Sequence, residues 1–158
     1  MEWYTPPAIF FALGLTFDLD VCAPRGGLPW IPAAEAYWLP DRDGLALPWN
    51  GRVWMNPPYG PFTARWMGRF LEHGNGLALV FARPGTAWAQ RALSEADAVC
   101  FLAKRVRFVR SDGRLSTLPS RQGQTVAGAD SMLLACGSDN ADALVRSRLG
   151  VVLQRANP

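Results

Sequence analysis

A double proline, Pro57-Pro58, comes one residue after a segment rich in Val, Trp and Met, residues 51–55. Proline has no backbone N–H to donate to a neighbouring strand, and its ring breaks the interior of a helix. The strand predicted over residues 51–55 therefore has to end at Asn56. After Gly60-Pro61, where the fixed dihedral of proline suits a first helical turn, apolar side chains recur at helical spacing up to Gly74. This stretch predicts a strand, a stiff turn and a helix in succession.

Further apolar runs alternate with helical patterns along the chain. Strands are predicted over residues 16–21, 77–82, 98–103 and 131–135, and helices over residues 86–95 and 140–149. The dipeptide Asp112-Gly113 indicates a hairpin between residues 106–109 and 115–118. Such an alternation is typical of an open α/β sheet that helices cover on both faces. We predict one α/β domain over residues 1–158, with a mostly parallel sheet and an antiparallel late strand.

The composition favours a folded protein that dissolves in water. Hydrophobic residues make up 49% of the chain and charged residues 18%, which supplies ample apolar material for a core and excludes the signature of disorder. The longest apolar stretches, residues 76–82 and 132–135, are far shorter than the roughly 20 residues that span a bilayer, and no signal sequence opens the chain. We expect a soluble, intracellular protein with no membrane partner.

Metal ligands are not grouped in the sequence. Cys22, Cys100 and Cys136 are widely spaced among apolar residues, and no Cys-x-x-Cys pair occurs. The single histidine, His73, has no partner at ligand spacing. We expect three free thiols and no bound metal.

Positive charge is concentrated in the second half of the chain. Up to Leu79 there are five basic and seven acidic residues, and from Val80 onward there are eleven basic and six acidic residues. All the basic residues except Lys104 are arginines, whose planar guanidinium suits phosphate, so nucleic acid is a candidate partner. The alternative is an ordinary solvated surface. The densest basic group is Lys104, Arg105, Arg107 and Arg110, continued by Arg114 and Arg121.

The turn Asn56-Pro57-Pro58-Tyr59 indicates a specific chemistry. It follows the carboxyl end of a strand, where open α/β sheets bind ligands. Two prolines stiffen the backbone, so that the side-chain oxygen of Asn56 and the carbonyl of Pro57 can accept both hydrogens of one amino group. Tyr59 offers a flat ring on which a planar base can stack, a contact worth about 1–3 kcal/mol per base. The exocyclic amine of adenine fits all three contacts.

An aromatic amine is a poor nucleophile because its lone pair is delocalised into the ring. Two acceptors that hold its hydrogens shift the nitrogen toward a tetrahedral, reactive state without a strong base. The remaining requirement is an activated methyl donor held in line with the amine, which indicates S-adenosylmethionine as the cofactor. An adenine in a duplex has to leave the base stack to reach such a pocket.

Several short motifs occur in a fixed order along most of the chain. They are Glu2-Trp3-Tyr4-Thr5-Pro6-Pro7, Phe17-Asp18-Leu19-Asp20-Val21-Cys22-Ala23, Asp43-Gly44-Leu45 with Trp49, Val53-Trp54-Met55-Asn56-Pro57-Pro58-Tyr59-Gly60, Ala82-Arg83-Pro84 and Arg105-Val106-Arg107-Phe108. In these motifs the chain resembles the small phage-type DNA N-6-adenine methyltransferases, which are related to the Dam enzymes. The resemblance implies a Rossmann-like class I S-adenosylmethionine-dependent methyltransferase that modifies adenine in DNA. It also implies that the protein works in the cytoplasm of a bacterial cell and that its gene is bacterial, phage or prophage in origin.

The resemblance assigns catalysis to Asn56, Pro57, Pro58 and Tyr59, and it assigns the donor site to residues near the start of the chain. Tyr4, Thr5 and Pro6 match the segment that packs around the methionine end of the donor. Alternatively, these three residues are only the start of a first helix.

Two acidic residues match donor contacts in the family. Asp20 matches the acidic residue near the donor, with Cys22 and Ala23 passing close by. The chain departs from other amino-methyltransferases here, because residues 22–27 replace their glycine-rich loop. Asp43 matches the carboxylate that holds the adenine amine of the donor, and Asn56 also borders this site. A plain turn aspartate is the alternative for Asp43, and Glu35 is a further candidate, for the ribose hydroxyls.

The candidate DNA contacts are Arg83, Lys104, Arg105, Arg107 and Arg110, and residues 105–130 form a candidate DNA-contacting insertion. Arg83 and Thr86 follow a strand at the same sheet edge as the catalytic turn. Alternatively, Thr86 caps a helix and Arg83 is a surface charge. Trp88 is a candidate contact beside Arg83.

The sequence therefore predicts a DNA adenine-N6 methyltransferase. The same chemistry on RNA adenine or on protein glutamine is one alternative, and a catalytically inactive DNA-binding module is another. The sequence does not decide between a monomer and a homodimer.

Overall fold

The computed structural model describes residues 4–114 and 129–156. Four helices and seven strands lie in these ranges, in the order α1 (Pro7–Leu13), β1 (Phe17–Asp20), β2 (Ala33–Ala36), β3 (Val53–Met55), α2 (Thr63–His73), β4 (Gly76–Phe81), α3 (Ala87–Glu95), β5 (Ala98–Leu102), β6 (Ser131–Cys136), α4 (Ser138–Ser147) and β7 (Gly150–Gln154). The predicted α/β alternation is confirmed.

The strands form one sheet in the order β2-β1-β3-β4-β6-β5-β7. Strands β2, β1, β3 and β4 pair in parallel, whereas β6 pairs antiparallel with both β4 and β5, and β7 pairs antiparallel with β5. Of these seven strands, β1 to β5 therefore share one direction. The predicted antiparallel late strand, residues 131–135, is confirmed as β6. Strand β7, which was not predicted, also runs in the opposite direction.

Helices cover both faces of the sheet. On one face, Phe70 of α2 packs on a cluster that includes Met55 of β3. On the other face, Phe10 of α1 meets the edge of Trp54 of β3, with ring centroids 4.7 Å apart. Burial of each such side chain contributes roughly 1.5–3 kcal/mol. Strand β3 is thus buried on both faces, which fixes the position of the turn that follows it.

Local signals set several element ends as predicted. Gly74 ends α2 in the left-handed conformation, with φ 74°. The Thr86 hydroxyl accepts a hydrogen bond from the Ala89 N–H at 3.3 Å and caps α3, as the alternative for Thr86 predicted. Helix α4 begins at Ser138 and ends at Ser147, two residues earlier at each end than expected.

The turn predicted at Asp112-Gly113 is present: the Arg110 N–H donates to the Arg114 carbonyl and the Gly113 N–H donates to the Arg110 carbonyl, each at 2.9 Å. Among the described residues, Val109 pairs with Tyr4 in a bridge with N–H···O distances of 2.8 and 2.9 Å. Val106 and Phe108 are buried against the core, and Arg107 between them is exposed. The second predicted arm, residues 115–118, lies outside the described residues.

Candidate active site at the carboxyl edge of the sheet

Strand order reverses between β1 and β3. The chain passes from β1 to β2 on one side and then returns to β3 on the other side of β1. Open α/β sheets bind ligands outside the carboxyl ends of the strands at such a switch point. Asp20 ends β1, and Asn56 directly follows β3, so these two predicted site residues lie at the expected place.

Asn56 contributes an acceptor that has no partner in the protein. Its side-chain oxygen is buried and makes no hydrogen bond within the part of the chain that the structure describes. A buried acceptor left unpaired costs about 1–3 kcal/mol, and an incoming N–H removes that cost. The Val21 N–H donates to the Trp54 carbonyl at 3.1 Å, and the Asn56 backbone N–H lowers the pKa of the Cys22 thiol against the larger effect of burial. The end of β3 is therefore tied to the end of β1 while the amide oxygen stays available.

Tyr59 stacks on Phe81, the last residue of β4. The ring centroids are 3.8 Å apart and the planes differ by 13°. The Tyr59 side chain is 41% exposed, so it meets solvent on the side away from Phe81. Burial of the hydroxyl raises the pKa of Tyr59 above its ordinary value of 10, which keeps the phenol neutral at physiological pH. Tyr59 can act as a flat platform and not as a base.

Thr63 holds the turn between Tyr59 and α2 in shape. Its hydroxyl accepts a hydrogen bond from the Gly60 N–H at 3.1 Å and lies 3.0 Å from the Gly60 carbonyl, to which it can donate. Thr63 is buried, although α2 has no side-chain N-cap. Sequence reasoning missed this residue, although a threonine at the start of a helix after Gly60-Pro61 was a usable signal.

Asp20 is a buried carboxylate at the end of β1. It is 4% exposed, and its Oδ1 accepts a hydrogen bond from the Cys22 N–H at 3.2 Å. Burial raises the pKa of Asp20 to about 7, and the Cys22 hydrogen bond opposes that rise. The pKa of the Cys22 thiol is also raised, by burial and by the neighbouring carboxylate. Ala23 donates its N–H to the Tyr37 carbonyl at 2.8 Å, which joins this loop to the end of β2.

The segment before α1 carries a second unpaired group. Thr5 is 1% exposed, and its hydroxyl has no partner among the described residues. The Thr5 carbonyl accepts a hydrogen bond from the Trp30 indole at 3.0 Å, and Pro6 is the N-cap of α1. Tyr4, Thr5 and Pro6 thus lead directly into α1, as the alternative for these residues predicted, and Thr5 brings an unpaired buried hydroxyl to this segment.

Asp43 stands in a loop that closes over β1. Its Oδ1 accepts a hydrogen bond from the Leu45 N–H at 2.8 Å, as a turn aspartate does. The next residue, Gly44, approaches the backbone so closely that a Cβ there would lie 2.0 Å from the Val21 carbonyl. Asp43 is therefore held beside the end of β1.

Glu35 does not share a face of the sheet with Asp20. It pairs in register with Leu19, whereas Asp20 pairs with Ala36, so the side chains of Glu35 and Asp20 lie on opposite faces of the sheet. Glu35 is exposed and forms an ion pair with Arg42 at 3.3 Å.

Unpaired buried polar atoms share one edge of the sheet. Among the described residues they belong to Thr5, Trp38, Asn56 and Ser131. Trp38 lies two residues beyond the end of β2, and Ser131 opens β6 opposite Phe81, at the end of β4. Sequence reasoning did not single out Ser131, Phe81 or Trp38 as site residues. Native proteins pair most buried polar groups, so this concentration marks an edge that fits a polar ligand.

The basic segment, residues 104–110, is linked to the turn Asn56-Pro57-Pro58-Tyr59 through aromatic contacts. Lys104, Arg105, Arg107 and Arg110 are exposed, and Arg105 forms an ion pair with Asp130 at 3.1 Å. Phe108, within this segment, meets the edge of Phe81 with centroids 6.5 Å apart. The predicted contact Arg121 lies outside the described residues.

Arg83 is exposed beside Phe81, whereas Trp88 packs against the core. Arg83 is exposed, and its Cζ lies 6.0 Å from the centroid of the Phe81 ring. Trp88 packs against the core beneath α3. Arg83 therefore lies near the Phe81 ring, on which Tyr59 stacks.

The described ranges contain neither a membrane-spanning helix nor a metal-binding group. No helix there is long and apolar enough to cross a membrane. The same ranges contain no group of three or more His, Cys, Asp or Glu residues that could hold a metal ion. The three cysteines are free, and Cys100 and Cys136 are buried.

The fold and this edge define an α/β protein with unpaired buried polar groups at the switch point of its sheet. The chain belongs to the DNA N-6-adenine-methyltransferase (Dam) family, whose model matches residues 2–134. The family description gives methylation of adenine N6 in DNA as the general activity, which makes DNA the expected substrate. No curated protein and no solved structure was found to match the chain.

Proposed function

We propose that this protein transfers a methyl group from S-adenosylmethionine to the N6 amine of an adenine that has left the base stack of DNA. The observation that carries the proposal is the pairing of an unsatisfied Asn56 side-chain oxygen with the Tyr59 platform at the carboxyl edge. An acceptor and a flat ring in one short turn suit a planar amine. Flipping makes an adenine in a duplex accessible to such a turn.

The turn performs the chemistry by orientation and hydrogen bonding. The Asn56 side-chain oxygen and the Pro57 carbonyl accept the two amine hydrogens, which turns the nitrogen lone pair out of the base plane. Tyr59 holds the base by stacking, and its neutral phenol takes no proton. As the bond from N6 to the methyl group forms and the bond from that methyl group to sulfur breaks, N6 loses one of its two hydrogen-bonded protons to solvent. S-adenosylmethionine supplies an electrophilic methyl group when bound. Holding the two reactants in line accounts for most of the rate gain, as in other reactions of two bound groups.

The residues at the switch point fit this donor. Thr5 offers an unpaired hydroxyl, and Asp20 offers a carboxylate whose negative form suits a ligand with a sulfonium and an ammonium group. We assign Tyr4, Pro6, Cys22 and Ala23 to the walls of the donor site, Asp43 to the donor's adenine amine and Asn56 to its border with the substrate. The sheet is on this proposal a Rossmann-like class I methyltransferase sheet.

DNA binds across the basic segment in this proposal. Arg83 lies near the Phe81 ring, on which Tyr59 stacks, and Phe108 links the segment with Lys104, Arg105, Arg107 and Arg110 to the same ring. Residues 105–130 then form a small DNA-contacting insertion within a single domain over residues 1–158.

Two substitutions test the proposal, with one matched control. Asn56→Ala and Tyr59→Ala are expected to lower methylation of adenine-containing DNA about 100-fold or more, whereas calorimetric donor binding stays measurable. Asn75→Ala is the control, because Asn75 lies at the amino end of β4 and accepts a hydrogen bond from Asn140 at 2.9 Å. Full activity of both site variants would contradict the mechanism.

The alternatives separate in the same assay. RNA adenine or protein glutamine as the true substrate would give methylation of those molecules but not of DNA. An inactive DNA-binding module would bind DNA without binding the donor.

A further inference from the structure

We propose that Phe81 is a positioning residue, which fixes the Tyr59 ring so that only its outer face receives the flipped adenine. This inference rests on the proposed function, because it concerns the same catalytic turn. It adds a residue on a neighbouring strand that does not touch the substrate.

The position of Phe81 is set by the sheet. Phe81 is the last residue of β4 and pairs with Ser131 in β6. The next residue, Ala82, donates its N–H to the Asp130 carbonyl at 2.8 Å. Two neighbouring backbone contacts thus hold the strand end on which the Phe81 ring stands. The edge contact with Phe108 limits the ring further.

Tyr59, in contrast, stands on a turn outside the sheet. Its ring lies almost parallel to Phe81, with centroids 3.8 Å apart. A ring that stacks this closely has one face covered and cannot rotate about its side-chain bonds without losing the contact. The Tyr59 platform is therefore located by Phe81 and not by the turn alone.

The covered face determines where a base can bind. A base on the inner face of Tyr59 would have to displace Phe81 from a ring cluster that also contains Phe108. A base on the other face does not have to displace Phe81, and Tyr59 as a whole is 41% exposed. The order of rings in the complex is then adenine, Tyr59 and Phe81. The Arg83 guanidinium, 6.0 Å from the Phe81 centroid, borders the same cluster.

Three variants separate positioning from stability. Phe81→Leu keeps an apolar side chain but removes the flat ring, and Phe81→Tyr keeps the ring. Phe70→Leu is the matched control, because Phe70 is fully buried against the opposite face of the sheet, away from the turn. Thermal unfolding of each variant reports its stability.

The first readout does not depend on methylation. The chain has three tyrosines, so the protein labelled with 3-fluorotyrosine gives few ¹⁹F resonances, and Tyr59→Phe identifies the one from Tyr59. Phe81→Leu is expected to shift and broaden that resonance, since the ring current of Phe81 is lost, whereas Phe70→Leu leaves it in place. An unchanged Tyr59 resonance in Phe81→Leu would overturn the proposal.

The second readout is steady-state methylation of a DNA duplex. Phe81→Leu is expected to lower kcat about tenfold or more, with donor affinity within about twofold of the parent, because a misplaced platform costs rate and not donor binding. Phe81→Tyr restores kcat, and Phe70→Leu retains it despite a lower melting temperature. A faster Phe81→Leu enzyme would mean that Phe81 occupies the place of the base and would overturn the proposal. If the parent protein methylates no DNA, the proposed function fails, and the ¹⁹F readout still decides whether Phe81 positions Tyr59.

Discussion

The carboxylate of Asp20 accepts a hydrogen bond from the backbone N–H of Cys22, two residues further along the chain, at 3.2 Å. This is a single neutral donor for a side chain that is 4% exposed. Burial outweighs this bond, and the pKa of Asp20 therefore rises from 3.8 to about 7. The protein holds an acid at its switch point that changes charge near neutral pH.

The stability of the protein is expected to fall between about pH 4 and pH 7. In this window folded Asp20 keeps a proton that the unfolded chain has already lost, so the free energy of unfolding decreases as pH rises and levels off above about 7. The contribution of Asp20 is on the order of a few kcal/mol. Urea unfolding at several pH values measures it, and Asp20→Asn should flatten the curve in this window. An unchanged slope in Asp20→Asn would show that another group is responsible.

Donor binding is expected to release a proton near pH 6. The positive groups of S-adenosylmethionine favour the ionised form of Asp20, so binding lowers the pKa of this carboxyl and expels its proton. Calorimetric titrations in buffers of different ionisation enthalpy count the protons released. The release should disappear at pH 9, where Asp20 is already ionised, and in Asp20→Asn.

Glu35→Gln is expected to leave donor affinity within about twofold of the parent, whereas Asp43→Asn lowers it. Glu35 lies on the face opposite to Asp20 and is engaged by Arg42, while Asp43 lies beside the end of β1. A rim ion pair such as Glu35–Arg42 contributes only about 0–1 kcal/mol to stability, so its removal changes little. Calorimetry on both variants checks this. A weaker donor complex in Glu35→Gln would restore Glu35 as a ribose ligand.

Sequence reasoning found the strands whose side chains are mostly buried. Val53–Met55 and Gly76–Phe81 are apolar runs that are buried almost throughout. A double proline follows the first run after Asn56, and a glycine opens the second. Strands β2 and β7 escaped prediction for a physical reason. Ala33–Ala36 has small side chains, and Gly150–Gln154 is an exposed edge strand, so both depend on backbone pairing that leaves no clear pattern in the sequence.

Candidate site residues could be predicted from the sequence only where they adjoin the ends of strands. Asp20 and Asn56 could be predicted because each stands at the carboxyl end of a strand. The stacking of Tyr59 on Phe81 could not, since it joins the turn after β3 to the end of β4 through side-chain geometry. The faces of Glu35 and Asp20 depend on the register between β1 and β2, which the sequence does not specify.

DNA affinity is expected to fall with salt, with a slope of log affinity against log salt of roughly −3 to −4 if about four phosphates are neutralised. Arg107→Gln and Arg110→Gln should each reduce the steepness by about one, because both side chains are exposed beside the site. Arg91→Gln is the control, since Arg91 pairs with Glu95 on α3 at 2.8 Å. Fluorescence anisotropy with labelled duplexes at several salt concentrations measures the slopes. Equal slopes in all three variants would place the DNA elsewhere.

The recognition sequence is expected to be short or relaxed. Base readout needs side chains that reach the grooves, and the connection between β5 and β6 is the longest between consecutive strands and carries the basic segment. Four of its exposed cations suit phosphate, which gives affinity without sequence information. Mapping of modified adenines in DNA from cells that express the protein, with Asn56→Ala as the blank, should show methylation in many sequence contexts. A long, strict consensus would mean that residues 105–130 read bases and do not merely hold the backbone.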